Sequence, residues 1–273
     1  MRRSARVFGL TSTVVVTMWA AAVGAQQVET RAAFDGYVRV TDARSARVSG
    51  DAAQFLWIDA LPAERRAGVL AALRQGEVVT AQGGPREDGA SIAVSGGLIH
   101  HWVGTVFVPG ATLGQTVALL QDYNRHAEIY QPIITRAQLL SHDADDFTFT
   151  MRFTVRKVLS VVLDTDQHAR FQRPAADRAA SRIVSTRIAE VESAGTSTER
   201  EKSPGQDRGY LWGLVSYWRF VGRDNGTYVE CESVSLSRPL PTGLGWLFGK
   251  AASAVPKDII VANLAATRRA LTR

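Results

Sequence analysis

Residues 210–237 read YLWGLVSYWRFVGRDNGTYVECESVSLS, two runs of alternating side chains joined by Asp224-Asn225-Gly226. Successive side chains in a strand point to opposite faces, and a short Asn-Gly loop is a strong hairpin signal. With an even number of loop residues, odd positions of one strand pair with even positions of the other. Tyr210, Trp212, Leu214, Ser216, Trp218 and Phe220 then share a face with Val229, Cys231, Ser233 and Ser235, so large aromatics lie beside small side chains. The opposite face sets Arg219 near Glu230 or Glu232, a favourable cross-strand charge pair. Such an aromatic stripe either receives a packed helix or leaves room for a ligand. The two are compatible, because a long helix laid across a curved sheet closes a space of the kind that holds small molecules.

Working upstream, Phe147, Phe149, Met151, Phe153 and Val155 alternate with Thr148, Thr150, Arg152, Thr154 and Arg156, a half-buried antiparallel strand. Further strands are expected over 98–108, 133–140, 158–171 and 183–192, with the Phe147 strand running to Lys157. After the first of these, Pro109-Gly110 turns the chain and Thr112 caps a helix through Val117, Leu119 and Leu120; a second short helix spans Asp122 to Tyr130 and is closed by Pro132. Leu244 to Leu271 is helical with an interruption expected at Pro256. The sum is an α+β protein: strand, two helices, six antiparallel strands, long C-terminal helix.

Residues 26–97 form an N-terminal accessory region. Pro62 starts a helix with Val69, Leu70 and Leu73 on one side, Gly76 ends it, and Glu77 to Ala81 is a short strand candidate. Gly83-Gly84-Pro85 and Gly96-Gly97 are breakers around a loop and a short apolar piece. Residues 1–25 have the order of a secretory signal: basic Arg2, Arg3 and Arg6, an apolar stretch from Val7 to Val23, then Val23-Gly24-Ala25 before Gln26. Cleavage after Ala25 and a periplasmic or secreted protein are the expectation, with retention as an uncleaved anchor the alternative. Half of the formal net charge of +6 lies on those three arginines. The remaining basic residues are scattered, so a nucleic-acid footprint is not supported. The single cysteine, Cys231, excludes an intramolecular disulfide and reads as a buried thiol.

His100-His101-Trp102-Val103-Gly104, Leu120-Gln121-Asp122-Tyr123, Ile129-Tyr130-Gln131-Pro132, Tyr217-Trp218-Arg219-Phe220 and the segment Ser235 to Pro241 lie in the element order just described. In this the chain resembles the START-like (SRPBCC, polyketide cyclase-like) superfamily over residues 98–273. The resemblance implies a helix-grip fold, a curved antiparallel sheet of about seven strands around the C-terminal helix. It also implies a hydrophobic ligand, such as a lipid or isoprenoid, in the space between them. Some members are cyclases or hydrolases, and no universal catalytic residue transfers.

The residues expected to line the ligand are His100, Trp102, Tyr123, Tyr130, Phe149, Met151, Phe153, Trp212, Leu214 and Trp218. Adjacent His100 and His101 point to opposite faces and cannot chelate one ion, and no metal-binding spacing or phosphate loop occurs, so neither metal nor cofactor is expected. An inward histidine serving as acid or base on a hydrophobic substrate is a second reading. An envelope protein-interaction module using residues 26–97 is a third. Lys250, Lys257, Arg268, Arg269 and Arg273 give the last helix a basic edge that could make peripheral contact with an anionic membrane.

Overall fold

A computed structural model describes residues 11–84, 92–156, 160–203, 205–239 and 245–272, with side chains omitted for 11–27 and 245–253. Arg2, Arg3 and Arg6, the loop after Pro85, Lys157 and Val158 at the strand junction, and Arg273 lie outside the described residues.

The turn at Asp224-Asn225 joins the two strands as the sequence reading expects. Both residues take left-handed φ, 58° and 55°, which matches the right-handed twist of the strands they join. They connect β9 (Gly213–Arg223) to β10 (Gly226–Ser237) in the register that pairs Phe220 with Val229 and Trp218 with Cys231. The remaining strands are β1 (Val79–Gln82), β2 (Ile92–Val94), β3 (Gly97–Pro109), β4 (Ile134–Asp143), β5 (Asp146–Arg156), β6 (Ser160–Ala175), β7 (Arg178–Glu192) and β8 (Arg200–Glu201). All pairings are antiparallel, in the order β1-β3-β10-β9-β7-β6-β5-β4, with β2 on β3 and β8 on β7. The sheet thus has ten strands rather than seven, because the short β1, β2 and β8 extend or decorate it.

Five helices accompany the sheet among the described residues: α1 (Thr11–Gly50), α2 (Ala63–Arg74), α3 (Leu113–Gln121), α4 (His126–Ile129) and α5 (Gly245–Leu271). Thr112 caps α3 in a reciprocal box with Gln115, whose backbone N–H it accepts at 3.2 Å. The second short helix is a 3-10 turn, Tyr123–Arg125, followed by the single turn of α4. The expected break at Pro256 does not occur, and α5 runs through it. An internal proline costs about 3 kcal/mol; burial of Ile260, Leu264, Ala266 and Thr267 on the sheet side offsets it.

The helix-grip arrangement follows from this order: α5 lies along β3 and β10 on the concave side of an open curved sheet, with α3 and α4 beside it. Gly104 permits the approach, since a Cβ there would stand 2.6 Å from Ile260 and 2.9 Å from Leu264. One apolar cluster lies between sheet and helices, built from Val106, Phe147, Phe149, Phe171, Trp218, Phe220 and Val229 on the sheet and Leu120, Tyr123, Tyr130, Ile260 and Leu264 on the helices.

The N-terminal region covers the other side of the sheet. From α1, Phe34 and Val38 pack on Ile99, Val215, Tyr217, Val234 and Leu236. Beyond α1, Phe55, Leu56, Ile58 and Leu73 pack on Phe107, Val221 and Tyr228. Polar links reinforce these patches: Asp42 takes Arg182 Nε at 2.7 Å and Tyr217 Oη at 2.8 Å, and Arg223 reaches Asp59 at 2.7 Å. Residues 26–50, where the sequence suggests no element, are helical throughout. Among the described residues no helix is long and apolar enough to cross a membrane.

Candidate functional site

The concave surface gathers most of the residues expected to line a ligand. Phe149 and Met151 are buried there on β5, with Phe153 packed beside them. Tyr123 stacks on Phe149 with centroids 3.8 Å apart, and His126 lies edge-on to Tyr130 at 4.9 Å. Trp218 and Phe220 lie parallel on β9, centroids 6.4 Å apart. Trp102, half-buried on the same side of β3, carries the ammonium of Lys257 5.7 Å above its ring. Leu214, half-buried, follows the same alternation toward the end of β9.

Trp212 is placed differently. It precedes β9, its indole N–H donates to Asp207 at 2.7 Å, and its ring packs with the convex-side cluster around Phe34. Alternation holds only where the chain is a strand, and β9 begins at Gly213. A Cβ at Gly213 would stand 2.7 Å from the ring of Phe34, so α1 presses directly on this strand start.

The adjacent histidines separate as strand geometry demands. His100 faces the concave side and pairs with Ser237 Oγ at 2.9 Å; burial lowers its pKa to about 4. It is therefore neutral at neutral pH. His126, not singled out from sequence, donates through Nε2 to the Leu120 carbonyl at 3.1 Å and is also lowered to about 4, mainly by burial. Tyr130 meets Thr267 at 3.2 Å, and burial raises its hydroxyl pKa, as it does for Tyr123. Cys231 is buried, with its thiol pKa raised by the same cause. Among the described residues no group of three or more His, Cys, Asp or Glu stands ready to hold a metal ion.

Polar atoms that sequence reasoning missed complete this surface. Ser181 pairs in register with Trp218, and Ser185 with Gln167, which puts both hydroxyls on the concave side. Ser181 Oγ, Ser185 Oγ, Tyr123 Oη, His126 Nδ1 and Asn263 Oδ1 on α5 are buried without a hydrogen-bond partner among the described residues. Buried polar atoms are nearly always paired, so five unpaired ones on the sheet and the helices facing it call for explanation. Ser185 continues the alternation of Ser181 and Ile183 on β7, in the same register with β6, and the bulge between Asp166 and Gln167 comes just beyond it.

On the convex side, beneath α1, lies a buried charge cluster. Arg219 Nη1 donates to Glu230 at 2.8 Å and to Glu232 at 3.1 Å, the cross-strand pairing expected from the hairpin register. Glu232 also accepts from His101 Nε2 at 2.6 Å and from Arg44, and His101 Nδ1 meets Tyr37 Oη at 2.7 Å. Glu230 accepts the Trp57 backbone N–H at 2.8 Å. Burial pushes Glu230 up to about 7 despite Arg219. Burial also opposes ionisation of Glu232, but the His101 hydrogen bond and the charges of Arg219, His101 and Arg44 outweigh it and hold Glu232 near 2.

No protein-family model matches the chain, and no curated protein matches it. Among solved structures it is similar to a STAR-related lipid transfer protein from Xanthomonas axonopodis, at 18% identity and TM-score 0.43 over 68% of this chain and 100% of that one. It is similar to the Zhui aromatase/cyclase from Streptomyces sp. R1128, at 17% identity and TM-score 0.41 over 64% of this chain and 94% of the other. It is also similar to TTHA0849 from Thermus thermophilus, at 10% identity and TM-score 0.45, covering 62% and 94%.

Proposed function

We propose that the chain is an exported binding or transfer protein for a hydrophobic small molecule, a lipid, isoprenoid or similar, held between the concave sheet face and α5. The observation that carries this reading is the set of five orphaned polar atoms within an aromatic wall, Tyr123 Oη, His126 Nδ1, Ser181 Oγ, Ser185 Oγ and Asn263 Oδ1. A largely apolar surface with a few convergent polar groups is the usual form of a small-molecule site. Those groups suit a ligand that is apolar over most of its length and carries one hydroxyl, carbonyl or carboxyl end.

Export is supported by the basic, apolar and small-residue order of residues 2–25. Delivery at an anionic membrane belongs to the same reading, with exposed Arg269 on the last turns of α5 as its contact. Native mass spectrometry with organic extraction of the full chain, expressed with its own N-terminus, tests the proposal. The expected result is a co-purifying apolar molecule of defined mass in the envelope fraction. Protein recovered repeatedly without such a molecule overturns the binding reading, and protein found only in the cytoplasm overturns export.

A further inference from the structure

The convex side contains a cavity of about 530 Å³ where α1, the segment after it and the β1 edge meet over the charge cluster. Arg44 and Arg47 stand one turn apart on α1 at this cavity, Trp57, Val103 and Ala81 supply apolar wall, and Arg219 lies at its base. Gly83 and Gly84 close the rim at very short range. A Cβ at Gly83 would stand 2.2 Å from the His101 ring and one at Gly84 2.2 Å from Tyr37 Oη, so only glycine lets the chain pass this close to those two side chains.

An inventory of donors and acceptors indicates which sign of ligand fits. Every carboxylate oxygen at the base is already engaged. Glu230 Oε1 accepts from Arg219, and its Oε2 accepts from Trp57 N–H and from Thr105 at 3.3 Å. Glu232 Oε1 accepts from His101 and Arg44, and its Oε2 accepts from Arg219. At the rim, Asp51 Oδ1 accepts the Ala53 N–H at 2.8 Å. The surplus is in donors. Among the described residues Arg44 gives only its Nη2 to Glu232, and Arg47, exposed at the rim, makes no ion pair. A site whose basal carboxylates are engaged and whose arginines keep N–H groups in hand suits an acceptor-rich, negatively charged guest.

We propose that this convex-side cavity binds a small organic anion, its carboxylate or phosphate group held by Arg44 and Arg47 and its body lying against Trp57 and Val103. This site is separate from the concave surface, since the sheet itself stands between them.

Calorimetric titration of the full chain with benzoate and, separately, with inorganic phosphate tests the assignment, and amide chemical shifts locate the binding. Saturable binding of either anion is expected, with shifts concentrated at Gly83, Gly84, Gln54 and the Trp57 indole. Tighter binding of benzoate than phosphate identifies a carboxylate with an apolar body, and the reverse order identifies a phosphate group. Arg47 is exposed, so Arg47→Gln leaves the fold intact and should weaken binding about tenfold, the loss of one charge-assisted contact. Absence of saturation by both anions up to about 20 mM, weaker than any specific anion site of this kind, overturns the proposal. Shifts located elsewhere, or unchanged affinity in Arg47→Gln, do the same.

Discussion

The two faces of one sheet bury polar groups in opposite ways. On the convex face each acid beneath α1 is matched: Arg219 bridges Glu230 and Glu232, and His101, Arg44 and Trp57 supply the remaining donors. On the concave face the polar atoms of Tyr123, His126, Ser181, Ser185 and Asn263 have no partner among the described residues. Matched carboxylates fix how two parts of a chain sit on one another, whereas unpaired atoms in an apolar wall leave groups that a further molecule can engage. The first face clamps the N-terminal region, and the second is the surface proposed to receive a ligand.

Substitutions that remove one polar group should therefore have very different costs on the two faces. The largest effect is expected for Arg219→Met, which leaves Glu230 and Glu232 facing one another without their shared cation. Breaking one side of a buried ion pair costs about 3–5 kcal/mol, read as a lowered urea midpoint. A loss under about 1 kcal/mol, the range of an exposed pair, removes the distinction drawn for the convex face.

Acidity separates the two carboxylates of the clamp. Glu230 has a folded-state pKa raised to about 7, so the folded protein binds more protons than the unfolded chain between about pH 4.5 and 7, and stability falls as pH rises through that window. Arg219, Glu232, Thr105, Trp57 and the α1 residues Arg44 and Ser45 surround this site. The full shift corresponds to about 3 kcal/mol. Glu230→Gln should flatten that slope and gain stability relative to wild type above pH 7. Glu232, held near 2, behaves oppositely: its contribution is present above about pH 4.5 and is lost as pH falls toward 2. Unfolding curves of both Gln variants from pH 3 to 8 check the two signs; parallel profiles would contradict the assignment.

The smallest effect belongs to the concave face. Ser181→Ala deletes a hydroxyl that bonds nothing among the described residues, so the unliganded variant should be within about 0.5 kcal/mol of wild type. A loss of more than about 1 kcal/mol by thermal unfolding would show that the hydroxyl is already paired.

The readability of these faces from sequence follows from the same physics. The hairpin was legible because Asp224-Asn225-Gly226 fixes the register, and register alone places Arg219 beside Glu230 and Glu232 and Trp218 beside Cys231. Phe149, Met151 and Trp218 followed from period-two alternation. Trp212 did not, because the chain leaves strand geometry before Gly213 and the ring turns to the convex cluster. Helix α1 escaped notice because its buried face mixes Thr30, Thr41 and Ser49 with Phe34 and Val38, a weak apolar stripe interrupted by arginines. The spacing 34, 38, 41 with Tyr37 between was the available signal. His101 gave no hint of its partners, since Tyr37 and Glu232 lie 64 and 131 residues away along the chain.

The central claim, that the concave face is a receptor for an apolar molecule, is tested most directly by titrating the full chain with a neutral apolar fluorophore such as N-phenyl-1-naphthylamine. Ser181→Phe would set a ring beside Trp218 on the concave face, and Val40→Ser on the exposed side of α1 serves as a surface control. The account predicts saturable binding that is retained in Val40→Ser and lost in Ser181→Phe. Binding of equal affinity in Ser181→Phe, or none in the wild-type protein, would contradict it.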